Sequence, residues 1–456
     1  MAQQHTFQAP TGTRDFYPQE MLRRRYIEKA WRDASIRHGF EEIDGPTFEH
    51  LDLYTVKSGE GIVSELFSFE RFGGEKTYAL RPEFTPTLAR MYASKANSLA
   101  KPTKWFTSGP FFRAERPQRG RLREFLQWNV DLMGSEIEGW ADAEVLACLI
   151  SALEDLGFRP ADITVKIGDR PVVAQTLLAE GLPERYLGEA LRLLDRKDRL
   201  SDEEFQKECR AIQLEYSRYE SGLSILQAVA YENLSSSDST TSIVYQDSKK
   251  EVSIPTQRLQ TLYKQIREFS LEQWCRFDFS IVRGLAYYTG MVFEVHEAGG
   301  KERAIAGGGR YDNLIELFGG PPTPAVGFGM GDVVLSLVLQ DRGLMPEGKA
   351  LLEALSRPSP SLRPDAFVMA TEAEGADAAL APTLAALRRQ NLHARRSYKA
   401  SRNPGKLIKD AAACHARFYV VVDSAETCTL KNLDTGEQHP TPVPLGDLPA
   451  AISNKQ

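Results

Sequence analysis

The chain has 456 residues, 42% of them hydrophobic, which is room for about three domains with real cores. A formal net charge of −6 argues against a surface coated in basic residues for generic nucleic-acid binding, though it leaves space for a local basic face. The N-terminal MAQQHTFQAP lacks the order of an export signal, no segment reaches the ~18 apolar residues of a membrane span, and five cysteines without a CxxC pair support neither a disulfide framework nor a zinc site. A soluble, cytoplasmic protein with no membrane partner and no metal-ligand cluster is expected.

Residues 21–38 read as a helix stopped by Gly39. KTYALRPEFTPTLARMYA follows as strand, proline-marked turn and helix, with Arg81, Glu83 and Thr85 gathered at the turn. Polar loop residues on a scaffold often carry function, yet the same three could simply cap the helix.

Residues 111–134, FFRAERPQRGRLREFLQWNVDLMG, read as two strands joined by an arginine-filled loop. Side chains alternate along a strand, so Phe125, Gln127, Asn129 and Asp131 share one face, while Leu126, Trp128, Val130 and Leu132 form a core face on the other. Arg113 and Glu115 lie together on the entering side, and Arg116, Arg119, Arg121 and Arg123 follow at the turn. A solvated, salt-bridged hairpin is the competing reading. It does not account for a polar face backed by so apolar a partner, and guanidinium groups match phosphate oxygens in bidentate fashion. The hairpin therefore points to a triphosphate held beside a small polar ligand.

From residue 167 to 264 the chain turns helical, charged and poor in motifs, with Ser201 and Glu204 spaced as a capping box and NLSSSDSTTS as a polar loop. It reads as an inserted helical module. Strand-like, glycine-rich segments then return. Arg283 sits in an apolar strand and needs an anion or carboxylate to offset its burial, a buried Tyr288 hydroxyl needs a partner, and Gly307, Gly308 and Gly309 permit close approach of backbone to a ligand or another strand. No dinucleotide fingerprint or Walker loop is present. RPSPSLRP marks a linker, after which DAFVMA and RFYVVV read as buried strands of a compact α/β domain. Between them Arg388, Arg389, Arg395, Arg396, Lys399, Arg402, Lys406 and Lys409 are uninterrupted by acid, which fits either a solvated face or a phosphate-backbone contact.

GTRDFYP, LRPEFTP, FRAERPQRGRLREF, VRGLAYYTG, AGGGRYDNL, GFGMG and GKLIKDAAACHARFYVVV together resemble histidyl-tRNA synthetase, a class II aminoacyl-tRNA synthetase. The resemblance implies an α+β class II catalytic core, an antiparallel sheet flanked by helices, from residues 1–166 and 265–345. It also implies a helical insertion over 167–264, a linker over 346–362 and a C-terminal α/β anticodon-binding domain over 363–456. The implied reaction is histidine–tRNA ligation: L-histidine and ATP give histidyl adenylate and pyrophosphate, and histidine passes to the 3′ end of tRNA(His). A homodimer and Mg2+ accompany it.

Carried over by residue, the resemblance gives Arg113 the α-phosphate of ATP, Glu115 and Phe125 the adenine, and Arg121 the outer phosphates. Arg283 would stabilise the α-phosphate as the histidine carboxylate attacks. Glu83, Thr85 and Gln127 would hold the amino group, and Asp131 with Tyr288, beside Tyr287, would read the ring. Arg116 and Gln118 would meet the acceptor end of the tRNA, and the basic run its anticodon stem. Four positions depart from the family pattern. Val334 stands where the third motif usually ends in arginine, Ala286 replaces an acidic residue, the ring-reading glutamate is the shorter Asp131, and Ala114 stands for the histidine of the usual FRHERP, with little consequence expected. Either Arg121 with Mg2+ suffices for the outer phosphates, or another arginine substitutes, or ATP use is impaired. A synthetase-like histidine-binding regulatory protein is the alternative function, disfavoured because such paralogues typically lack the C-terminal domain.

Overall fold

The protein is described by a computed structural model covering residues 7–58, 63, 65–135, 137, 139–197, 200–235, 242–247, 250–255, 257–283, 287–300, 302–398 and 403–453. Its centre is an eight-stranded sheet in the order Glu41–Glu42, Thr103–Phe112, Glu124–Met133, Ala325–Gly331, Ala306–Arg310, Met291–Glu297, Ile163–Asp169, Cys275–Phe277. The six inner strands pair antiparallel; the outermost strand on each side pairs parallel to its neighbour. The expected antiparallel core is thus present with parallel edges.

Strand alternation decides the two faces of this sheet. Leu126, Trp128, Val130 and Leu132 enter the larger core with helices Pro18–Arg37 and Trp140–Asp155. There Trp128 stacks on Trp31 with ring centroids 6.0 Å apart and meets Phe328 edge-on at 4.8 Å, while its Nε1 donates to Ser35 Oγ at 3.0 Å. Phe125, Phe111, Tyr288, Tyr311 and helix Thr85–Lys95 form a smaller core on the opposite face. That face carries the site.

The boundary expected at residue 167 falls inside the Ile163–Asp169 strand, where Ile167 pairs with Phe293 and Gly168 with Val292. Backbone pairing keeps 167–169 in the main sheet, and Asp169 instead caps the first inserted helix, Arg170–Ala179, accepting from Val172 N at 3.1 Å. The insertion continues through helices Leu187–Asp195, Asp202–Ala211 and Tyr216–Ser235 and is not wholly helical, because Ser242–Asp247 and Lys250–Pro255 form a two-stranded ribbon. The predicted capping box is formed, with Glu204 N donating to Ser201 Oγ and Ser201 N to Glu204 Oε2. NLSSSDSTTS begins inside the last turn of the Tyr216–Ser235 helix, and residues 236–241 lie outside the described residues. Helix Gln257–Glu268, whose first residues were expected in the insertion, buries Leu259, Leu262 and Ile266 and packs against helix Trp140–Asp155. The expected linker holds a helix, Gly348–Ser356, with Leu351 buried and Glu347 paired to Arg23 at 2.6 Å.

The C-terminal domain is a five-stranded sheet in the order Ala394–Arg396, Ala366–Ala370, Phe418–Val422, Thr427–Asn432, Val443–Pro444, flanked by helices Ala376–Arg389, Pro404–Ala413 and Leu448–Ser453. DAFVMA and RFYVVV supply its two central parallel strands.

Candidate functional site

Two adjoining cavities open on the site face of the main sheet. The smaller, about 80 Å³, is lined by Glu83, Thr85, Gln127, Asp131, Arg283, Tyr287 and Tyr288, the seven residues assigned to histidine, and by Asn129 and Tyr311. Those seven come from three distant segments. The turn before helix Thr85–Lys95 supplies the first two, the outgoing hairpin strand the next two, and the loop before Met291–Glu297 the last three.

At its floor, Tyr311 Oη donates to Asp131 Oδ1 at 2.5 Å. Asp131 Oδ2 is buried with no protein partner, and burial pushes this carboxyl up to about 7 despite the tyrosine bond. Gly327 faces the same carboxylate: a Cβ there would lie 2.0 Å from Asp131 Oδ1, so only glycine lets strand and carboxylate approach this closely. Gln127 Nε2 donates to Asn129 Oδ1 at 2.9 Å, and Tyr287 Oη donates to Glu83 Oε2 at 3.4 Å. An open acceptor at one end and amide and carboxylate groups along one wall suit a small ligand carrying several N–H donors.

The larger cavity, about 740 Å³, is lined by Arg113, Glu115, Arg121 and Phe125, the four residues assigned to ATP. Glu83, Arg113, Gln127 and Arg283 line both cavities and mark their junction. Arg113 places its guanidinium carbon 5.0 Å from the Phe125 ring centre, and burial lowers its pKa against the pull of Glu115 and Glu83. Arg121 is paired to Glu115 through Nη1 and Oε2.

Arg283 adopts a left-handed φ of 52°, uncommon for a residue with a Cβ, and Arg170 Nη1 donates to its carbonyl at 2.9 Å. Its own Nη1 meets Glu294 Oε1 at 2.7 Å, while its Nε is buried without a partner. Burial works against this charge, but Tyr288 and Glu294 outweigh it and hold the pKa above its ordinary value. Burial likewise opposes ionisation of Glu294, yet His296 and Arg283 bring it down to about 2. The glycine run serves this arginine: a Cβ on Gly307 would lie 2.6 Å from Arg283 Nη1. A charged guanidinium at the junction, with its Nε unpartnered, can bind an anion shared between the two cavities.

A family model described as histidyl-tRNA synthetase matches residues 12–332. The chain belongs to this family. It is 37% identical to the histidine–tRNA ligase of Haloarcula marismortui over 443 residues, 96% of each chain. It is 36% identical to the chloroplastic/mitochondrial histidine–tRNA ligase of Arabidopsis thaliana over 338 residues, 74% of this chain and 67% of that one. The fold matches the crystal structure of histidyl-tRNA synthetase from Nostoc sp. PCC 7120 with a TM-score of 0.58 at 21% identity, covering 99% of this chain and 100% of that one. A Bacillus halodurans structure titled ATP phosphoribosyltransferase regulatory subunit/histidyl-tRNA synthetase also gives 0.58, at 22% identity over 93% of this chain and 100% of that one, so fold alone does not separate synthetase from regulator.

Several residues of this family member were missed or misread in the sequence. Tyr311 lies in the quoted AGGGRYDNL motif, but its bond to Asp131 spans 180 positions and leaves no local signal. Asp195, at the end of an inserted helix, lines the larger cavity, so the insertion does bring a charged group to the site. Val334 is buried on the cavity wall, with its Cγ2 3.2 Å from where a Cβ on Gly120 would stand. Ala286 is outside the described residues.

The basic run divides. Arg388 is 3% exposed and binds Glu144 through two bonds of 2.8 and 3.1 Å, with further donation to Ala394 O, so its guanidinium has no surface left for RNA. Arg396 lies 4.0 Å over the Trp140 ring, with burial lowering its pKa to about 10, and Arg395 pairs with Glu41 at 3.2 Å. These three join the C-terminal domain to the main core, and the burial of Arg388 withdraws that one residue from the expected tRNA contact. Arg389 and Lys406 are exposed, as are Arg116 and Gln118 at the hairpin tip. Lys399 and Arg402 fall outside the described residues.

Proposed function

We propose that this protein is a histidine–tRNA ligase, and the observation that carries the reading is the pair of cavities joined at Arg113 and Arg283. L-Histidine occupies the smaller one, with an imidazole N–H directed at the unpartnered Asp131 Oδ2 and the amino group near Glu83 and Gln127. Tyr288, on the same wall, offers a hydroxyl to the second ring nitrogen. ATP fills the larger cavity, its adenine against Phe125 and Glu115 and its phosphates toward the arginines.

The carboxylate oxygen then bonds to the α-phosphorus while the bond to the bridging oxygen breaks, and that electron pair leaves with pyrophosphate. Arg113 and Arg283 sit at the junction, where charge on the α-phosphate grows, so their part is electrostatic and positional, with no proton transfer. In the second step the terminal ribose hydroxyl of tRNA(His) attacks the carbonyl and AMP departs.

Among the described residues no group of three or more His, Cys, Asp or Glu is placed to hold a metal, so Mg2+ would arrive on the ATP phosphates and there help neutralise their charge. Arg116 and Gln118 are positioned for the acceptor end, and Arg389 and Lys406 for the phosphate backbone of the anticodon arm. The domain assignment follows: 7–169 and 257–345 catalytic, 170–255 inserted, and 363–453 anticodon-binding. A second copy of the chain is the partner that fits the exposed Phe48, Phe69 and Phe72 beside the three-stranded sheet Phe48–His50, Thr77–Leu80, Ser68–Glu70. Five unpaired cysteines agree with a reducing cytoplasm, and among the described residues no helix is long and apolar enough to cross a membrane.

Histidine-dependent exchange of pyrophosphate into ATP, followed by charging of tRNA(His), is the deciding assay. Exchange that requires histidine supports the ligase; histidine binding without exchange returns the regulatory alternative.

A further inference from the structure

Among the described residues four arginines line the larger cavity: Arg113, Arg121, Arg283 and Arg303. Arg113 and Arg283 also line the histidine cavity, which puts them where the two substrates meet. Arg121 and Arg303 line the larger cavity alone, so they lie farther along the path of the triphosphate. The same wall contains Val333 and Val334, whose side chains offer phosphate oxygens nothing.

Arg303 is exposed, yet the backbone that carries it is fixed on both sides. Its neighbour Glu302, 7% exposed in its side chain, pairs with Arg119 of the hairpin tip at 2.6 Å. Two residues on, Ile305 N donates to Val295 O at 2.8 Å and starts the strand pairing that continues at Ala306–Arg310. A Cβ on Gly120 would lie 3.2 Å from Val334 Cγ2 and 3.9 Å from Glu302 Oε2, so the hairpin tip, the apolar wall and the Arg303 segment converge on one place. Arg121 follows Gly120 directly.

We propose that Arg303, with Arg121, holds the outer phosphates of ATP in the stretch of wall where Val334 presents only methyl groups. This rests on the ligase reading. In that reaction the electron pair of the broken bond collects on pyrophosphate, and a guanidinium beyond the α-phosphate would stabilise the departing group without exchanging a proton. A flexible side chain on an anchored backbone also suits a contact that must release its product.

The test uses the full chain with Arg303→Gln and Arg303→Lys. In pyrophosphate exchange, R303Q should raise the KM for ATP about tenfold, the scale of one charge-assisted hydrogen bond, while R303K loses less and the KM for histidine stays within about twofold. Binding of an ATP analogue with a non-transferable phosphate should weaken by the same factor in R303Q, and binding of AMP should not. Equal weakening of AMP and the analogue would overturn the proposal by placing Arg303 at the adenosine end or in the scaffold. Unchanged affinity for ATP with reduced tRNA charging would overturn it by making Arg303 a tRNA contact. If the unaltered protein shows no histidine-dependent exchange, the ligase reading fails, and the AMP-against-analogue comparison still decides Arg303 because it needs no turnover.

Discussion

Glu144 and Asp131 are both carboxylates withdrawn from water, 0% and 2% exposed, and their surroundings treat them in opposite ways. Burial alone would raise the pKa of Glu144, but Arg388 and Lys104 hold it well below the ordinary range. Lys104 Nζ donates to Glu144 at 2.6 Å and to Tyr398 Oη at 2.8 Å, and also to His38 O, while Arg388 grips both carboxylate oxygens. Asp131 has Tyr311 and nothing else, its second oxygen is unpartnered, and its pKa climbs to about 7. The contrast separates two uses of a buried charge. Where the chain supplies every partner, the cluster joins domains; where one partner is withheld, the place is kept for a ligand.

The most damaging substitution falls in the satisfied cluster. Glu144→Ala leaves Lys104 and Arg388 buried with like charges facing, and removing one member of such a cluster costs about 3–5 kcal/mol. A urea midpoint on the full chain reads it, and a loss below ~1 kcal/mol would mean that water already reaches the cluster. On the other side, Arg283→Ala should lower histidine-dependent exchange by ~10²–10³-fold, while histidine binding largely survives. Equal loss of both would make Arg283 a scaffold residue.

Two further substitutions sharpen the contrast. Tyr311→Phe removes the one donor to Asp131 and should raise the KM for histidine about tenfold with little change in that for ATP. Equal changes in the two constants would show that the tyrosine shapes the whole site. Asp131→Asn probes the raised pKa. A carboxyl whose folded pKa of about 7 exceeds its ordinary 3.8 contributes stability that is complete below the lower value and lost as pH rises through the upper one. The asparagine variant, which does not ionise, should therefore gain on the parent protein between pH 4 and 8, by about 4 kcal/mol for a shift of about three units, read by thermal denaturation. A gap independent of pH would mean that Asp131 titrates normally.

Much of the site was legible because the signals were local. Period-two alternation placed Phe125, Gln127, Asn129 and Asp131 on one face and the apolar partners on the other, as the two separate cores bear out. The family motifs brought in Glu83, Thr85, Arg283, Tyr287 and Tyr288, which line the same small cavity. The basic run misled, because a row of arginines does not reveal which guanidinium points inward. Arg388 binds a carboxylate 244 positions away, whereas adjacent Arg389 remains exposed. The insertion boundary misled for a related reason: Ile167–Asp169 is held by pairing with Met291–Phe293, across the whole inserted module.

By itself the amino-acid sequence determined the family, the hairpin with its two faces, the cap at Ser201 and the central strands of the C-terminal domain, since each is set by periodicity or by spacing within a few residues. Only the tertiary structure decided that Tyr311 holds Asp131, that Gly307 makes room for Arg283, that Glu144 captures Lys104 and Arg388, and that Arg303 shares a wall with Val334. Those contacts depend on which distant strands become neighbours, and that is settled by burying the whole sheet against its helices.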